Sequence, residues 1–289
     1  MASELETARI DLIVDHHGHD RHLFCDLEQP IGGARGTVLI AHGFKGYKDY
    51  GMFPRLSRVV AGAGWGAVRF NFSHSGMTRN SETFERPDLF ALDTWNAQVR
   101  DLNALVEAVR AGALTTVQSS DPILLFGHSR GGLASILAAG RGLAVDGVVS
   151  LAAPADPCRL SDEHVQQLSE GRAVDVVSDR TGQTLLIGPQ FLHEINADRP
   201  GHDVLEMAGA MTMPLVVVHG AEDSTVPVED GRAIADRAGV EPVLVDEGNH
   251  VMNVANPLDP ERAPSPQLQV VEEVLLEQMQ MLEQRNASS

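Results

Sequence analysis

The sequence predicts an α/β fold: a mostly parallel sheet with helices on both faces and a small cap inserted late in the chain. Three observations carry this. Short, continuously apolar runs such as Thr37 to Ala41 and Ile123 to Phe126 have the character of strands buried on both faces. They alternate with helical stretches, and Gly and polar clusters punctuate them at strand–helix–strand spacing. The residues with chemistry to offer follow the ends of those strands, where an open parallel sheet gathers its ligands.

Taken in order, Ala8 to Val14 and Leu23 to Leu27 read as an antiparallel edge hairpin around a polar turn. Its tip collects His16, His17, His19 and His22 with Asp15 and Asp20. This spacing matches no familiar ligand set, so a solvated tip is expected and no metal. The strand Thr37 to Ala41 leads into His42-Gly43-Phe44-Lys45-Gly46, a helix from about Phe53 to Ala63, and a strand from Ala67 to Phe72. A loop holding His74 precedes a helix over roughly Ala91 to Ala111, whose Leu92, Trp95, Val99, Leu102, Leu105 and Val109 predict one buried stripe.

The strand Ile123 to Phe126, a small-residue helix and the strand Gly147 to Leu151 follow. From Ala155 to about Thr212 the rhythm breaks into helical pieces at 161–170, 189–197 and 203–211 and a hairpin about Arg180 to Gln183. The expected division is a core of 1–154 and 213–289 with an inserted cap over 155–212. The core resumes with a strand from Pro214 to His219, a helix from Val228 to about Ala238 and a last strand from Pro242 to Asp246. A Pro-rich connection from Asn256 to Pro266 leads to a terminal helix from Gln267 to about Gln284.

A chain of 289 residues, 43% hydrophobic and 21% charged, accommodates one large domain with a modest insertion. Its net charge of −18 repels nucleic acid and anionic membranes, so neither is an expected partner. No run reaches the ~18 apolar residues of a membrane span. Acidic residues stand where Met1 to Ile10 would need a signal peptide's basic segment, so a cytoplasmic location is expected. Cys25 and Cys158 lack ligand spacing and read as reduced and structural.

The most informative stretch is Gly127-His128-Ser129-Arg130-Gly131, between the apolar run ending at Phe126 and the helical pattern from Leu133. A strand–turn–helix setting is what a nucleophile elbow requires: the serine occupies a strained turn, and glycines flank it because side chains there would clash. Asp223 follows a later strand and His250 the last one, giving the chain order Ser, Asp, His. With His-Gly-Phe-Lys-Gly, His-Gly-Ala-Glu-Asp-Ser-Thr-Val-Pro and Gly-Asn-His, these pieces make the chain from about Thr37 onward resemble the α/β-hydrolases. Within them it is similar to bacterial dienelactone-hydrolase-like and cinnamoyl-esterase-like serine hydrolases. The insertion after Pro154 falls where those esterases carry a lid.

The resemblance implies a serine hydrolase acting on a small-molecule carboxylic ester, without a cofactor. A serine hydroxyl is a weak nucleophile at neutral pH, so His250 would take its proton while Asp223 fixes the imidazole tautomer. Backbone N–H groups of Phe44 and Arg130 would hold the oxyanion. His74 and Asp156 are candidate pocket residues, and Asp156 also competes with Asp223 for the role of acid. His42 and His128 are expected to brace their loops.

Arg130 stands where many relatives carry Met or Gln. Its guanidinium is left to pair with Asp156 or an acidic cap residue, or to meet an acidic substrate. An aminopeptidase or amidase, with Glu163 or Glu170 binding an amine, and a non-catalytic ligand receptor are the competing readings. Aromatic residues form only 4% of the chain, so few are on hand to build a stacking pocket.

Overall fold

The computed structural model describes residues 4–259 and 262–288. The start of the N-terminal segment (1–3) and two residues of the Pro-rich connection (260–261) lie outside them. The chain opens with β1 (Leu5–Asp15) and β2 (Asp20–Pro30), followed by β3 (Thr37–Ala41), α1 (Phe53–Gly62) and β4 (Gly66–Asn71). Then come α2 (Pro87–Phe90), α3 (Trp95–Arg110), β5 (Ile123–His128), α4 (Arg130–Gly140) and β6 (Gly147–Leu151). Segment 155–212 holds α5 (Asp162–Ser169), a separate hairpin of β7 (Val174–Val177) and β8 (Thr184–Ile187), and α6 (Gln190–Ala197), α7 (Arg199–His202) and α8 (Val204–Ala210). The chain finishes with β9 (Leu215–Gly220), α9 (Val228–Ala238), β10 (Val243–Val245) and α10 (Pro266–Asn286).

The main sheet has the order β1-β2-β4-β3-β5-β6-β9-β10, with β2 antiparallel to both its neighbours and every other pairing parallel. Because side chains alternate along a strand, its two faces feed two separate cores. Leu39, Leu125, Val148 and Val217 pack on one face with α3, α4, α8 and α9. Val38, Leu124, Phe126 and Val218 pack on the other with α1 and α10. Segment 155–212 has no core of its own: Leu168, Ile187, Phe191 and Val204 join the first cluster.

β5 lies between β3 and β6, with Ala41 opposite Gly127 and His128 opposite Leu151. The turn after β5 therefore opens beside the ends of both neighbours. A Cβ on Gly127 would lie 2.3 Å from the Gly131 carbonyl oxygen, and one on Gly131 would lie 2.4 Å from that of Ala41. The tightness of this turn is a packing requirement.

Two expectations are corrected. α3 begins at Trp95, because the Thr94 hydroxyl accepts a hydrogen bond from the Ala97 N–H and caps the helix there. Leu92 thus precedes the helix and is 48% exposed, outside the buried stripe. The histidine tip is not uniformly solvated either. His16 is buried, and its Nε2–H donates to Asp101 Oδ1 at 2.8 Å, tying the hairpin to α3. The Ser73 hydroxyl donates to the same oxygen (2.9 Å), and His74 Nδ1 contacts that hydroxyl at 2.8 Å.

Two measurements test this account. Gly127→Ala forces a methyl group into a backbone carbonyl, so the urea midpoint is expected to fall by the equivalent of about 3 kcal/mol or more. His74 is held neutral, its pKa lowered to about 3 by burial and then by His16 and Arg21. The unfolded chain binds that proton from about pH 6.5 downward while the native state does not, so stability is lost as pH falls from there towards 3. His74→Gln should therefore flatten the slope of stability between pH 6 and 4 by about 1.4 kcal/mol per pH unit, read from urea curves across that range.

Candidate active site

Ser129 stands between β5 and α4 with φ 55° and ψ −120°, a left-handed conformation costly for a residue with a side chain. Hydrogen bonds on both sides hold it there. Its N–H donates to the Leu151 carbonyl at 2.7 Å, and its own carbonyl accepts from the N–H groups of Gly132 (2.9 Å) and Leu133 (3.1 Å). The strain lifts the hydroxyl off the end of the sheet.

Asp223 and His250 arrive from the turns after β9 and β10. Gly220 lets these turns touch, since a Cβ there would lie 2.2 Å from the Gly248 carbonyl oxygen. His250 Nε2 lies 3.0 Å from Ser129 Oγ, and His250 Nδ1 lies 2.7 Å from Asp223 Oδ2. The sequence-predicted Ser129, His250 and Asp223 thus form one continuous chain of contacts.

The Asp223 carboxylate is fully buried, which on its own would raise its pKa. Hydrogen bonding from His219, His250 and the Val226 N–H outweighs burial and holds it well below the usual carboxylate range. The other oxygen, Oδ1, accepts from the N–H groups of Thr225 (2.8 Å) and Val226 (2.9 Å). An anion fixed on both oxygens leaves His250 one orientation, with its proton on Nδ1.

The two bracing histidines behave as expected. His128 Nε2–H donates to the His250 carbonyl at 2.8 Å, and burial followed by the neighbouring His250 lowers its pKa to about 3. His42 Nδ1–H donates to the Gly43 carbonyl (2.9 Å) while its Nε2 accepts from the Phe72 N–H (3.2 Å). Burial lowers its pKa to about 4. Both therefore stay neutral at physiological pH and hold the loops after β3 and β10 in place. Gly43 packs against Ser129, where an added Cβ would lie 3.1 Å from that of the serine, so the loop that carries Phe44 runs directly against it. Among the described residues, neither the Phe44 nor the Arg130 N–H meets a main-chain acceptor.

Two cavities meet at Ser129 and Phe44. One, of about 180 Å³, is lined by Lys45, Tyr50, Asp179, Arg180 and His250. The other, of about 350 Å³, is lined by Trp95, Arg130, Asp156, Ile187 and Phe191.

Asp156 lies in the wall of the larger cavity, with its carboxylate accepting from the Cys158 N–H at 2.8 Å. It is not the partner of His250. His74 is corrected: the buried contacts with Ser73 and His16 hold it beneath the hairpin, and it lines neither cavity. The Arg130 guanidinium pairs with neither Asp156 nor a residue of segment 155–212. Its partner is Asp93 Oδ2, at 3.0 Å. Glu163 and Glu170 are exposed on α5 and at its end and line neither cavity.

Sequence reasoning missed Asp93, Trp95, Phe191 and Arg180, which distant segments bring to the site. Only Arg180 carried a local signal, the polar hairpin turn. Three of the chain's few aromatic rings gather in one cavity wall, so composition understated the stacking surface available.

Cys25 and Cys158 are free thiols, and burial pushes that of Cys25 up to about 12. Among the described residues no group of three or more His, Cys, Asp or Glu side chains could hold a metal ion, and no helix is long and apolar enough to cross a membrane.

Comparison with known proteins agrees with this architecture. The model of the alpha/beta hydrolase family matches residues 38–261. Among curated proteins the sequence finds no match. Similar solved structures include Est1E from Butyrivibrio proteoclasticus, 18% identical with a TM-score of 0.65, covering 94% of this chain and 98% of that one. A hydrolase from Agrobacterium vitis S4 is 16% identical with a TM-score of 0.70, over 95% and 99% of the two chains. A monoacylglycerol lipase from Paleococcus ferrophilus is 16% identical with a TM-score of 0.61, over 96% and 99%. At these identities the likeness concerns the fold. With the family model spanning most of its length, the chain belongs to the alpha/beta hydrolase family.

Proposed function

We propose that this protein hydrolyses small-molecule carboxylic esters through an acyl-enzyme on Ser129. The observation that carries the reading is the unbroken sequence of contacts from Ser129 Oγ through His250 to the buried anionic Asp223.

In this reading His250 Nε2 removes the hydroxyl proton as Oγ attacks the ester carbonyl. Asp223 keeps the other ring proton on Nδ1 and stabilises the imidazolium that forms. The Phe44 and Arg130 N–H groups donate to the oxyanion, and being main-chain groups they need no reorganisation to do so. His250 then protonates the departing alcohol, and water repeats the sequence on the acyl group.

The same chemistry orients the substrate. The leaving oxygen must lie within reach of His250, which lines only the smaller cavity. The alcohol part therefore occupies that side, against Lys45 and Arg180, and the acyl part fills the larger cavity. Segment 155–212 supplies walls to both, through Arg180 on one side and Ile187 and Phe191 on the other. It acts as the cap that selects the substrate. An amine-binding role for Glu163 or Glu170 has no support from their positions, which disfavours the aminopeptidase reading.

Ser129→Ala is expected to abolish turnover of p-nitrophenyl butyrate and labelling by a fluorophosphonate probe while leaving the circular dichroism spectrum intact. Persistent turnover in that variant would sink the proposal. Asp223→Asn keeps the shape but no longer favours the Nδ1–H tautomer, so kcat is expected to drop by about 10⁴.

A further inference from the structure

Resting on that reading, we propose that the Arg130 side chain is the specificity-determining residue of the acyl cavity, where it donates to a neutral oxygen acceptor on the acyl group. The preferred esters would then carry a keto, ether or hydroxyl oxygen along the acyl chain, in place of an unbroken hydrocarbon.

The guanidinium lies in the cavity wall and is held from several sides. Its Cζ is 4.3 Å from the Trp95 ring centroid, 5.1 Å from that of Phe191 and 5.4 Å from that of Phe44. Asp93 Oδ2 anchors one end at 3.0 Å. Aromatic faces satisfy its charge in part but accept none of its N–H bonds in the plane of the group. Asp93 engages one end of the planar fork, and Nε is unpartnered among the described residues but buried out of reach, so any donor offered to a ligand is on an Nη atom. The side chain is only 11% exposed, so water is a poor substitute. An aromatic-walled cavity of about 350 Å³ with uncommitted donors in its wall favours a ligand that brings an oxygen to them.

Charge decides which kind of oxygen. Asp93 opposes Arg130, while Arg159, also in this wall, pairs with Asp230 at 2.7 Å. Asp156 in the wall adds negative charge, and Glu194, whose field also reaches Arg130, is paired with His202. A carboxylate on the acyl group would enter surroundings already balanced or negative, whereas a neutral carbonyl or ether oxygen meets only the donors.

The test compares p-nitrophenyl hexanoate with its 4-oxo and 5-oxo analogues and with the mono-p-nitrophenyl ester of adipic acid, on the purified full chain. Each kcat/KM is divided by the ester's hydroxide-catalysed rate, which removes intrinsic reactivity. The wild type should then prefer at least one oxo ester to the hexanoate by about tenfold, the scale of one hydrogen bond to a charged group, and should disfavour the adipate ester. Arg130→Met should bring the oxo-to-alkyl ratio close to one.

Asp93→Asn, which removes the opposing charge and keeps the donors, should raise the adipate ester relative to the hexanoate. That variant gives an independent reading should Arg130→Met fail to fold. A normalised wild-type ratio near one, a ratio unchanged in Arg130→Met, or no gain for the adipate ester in Asp93→Asn would each overturn the proposal. Failure of the underlying hydrolase reading looks different: no ester would be turned over through Ser129, and the fluorophosphonate probe would leave it unlabelled.

Discussion

Everything at this site depends on one strained residue. Ser129 at φ 55° is unfavourable locally, and it persists because β5 is hydrogen-bonded on both sides and the turn has nowhere else to go. The missing Cβ atoms at Gly127 and Gly131 let α4 approach the ends of β3 and β5 closely enough to clamp the turn. The rest of the sheet serves as the rigid support that makes the strain affordable. The loops after β3, β9 and β10 then converge on a hydroxyl whose position is already fixed.

Three imidazoles near the sheet are kept neutral by burial for separate ends. His42 and His128 spend their N–H protons on loop carbonyls, while His74 belongs to a network beneath the hairpin, remote from the chemistry. Rings of the same type thus brace two loops of the site and one joint of the scaffold, and only contacts separate these roles. Sequence could place His42 and His128 as braces because each adjoins a glycine-rich turn at a strand end. It could not place His74, whose partners His16 and Asp101 come from a hairpin tip and the middle of a helix.

The same distinction accounts for how much was legible overall. The strand order of chemistry, the elbow and the three linked residues Ser129, Asp223 and His250 were readable because each is marked by a local pattern at a strand end. The start of α3 was misjudged because an apolar Leu92 fits helical spacing, while the Thr94 cap outweighs it. The partner of Arg130 was not readable at all. Asp93 lies just before that cap with no motif around it, and only the packing of α3 against α4 brings the two together. Likewise a low aromatic content says nothing of where the rings go, and here three of them line one wall.

β10 has a consequence of its own. It is three residues long, closes the sheet at an edge, and among the described residues pairs only with β9. It nevertheless carries the turn that presents His250, while Ser129 hangs from a strand in the middle of the sheet. Short edge elements open at lower free energy than the interior. His250 and Ser129 are therefore mounted on parts of unequal durability. Mild denaturant or heat would detach His250 while the sheet around the Ser129 hydroxyl is still intact, so on the proposed mechanism inactivation runs ahead of unfolding and reverses freely until the centre itself gives way.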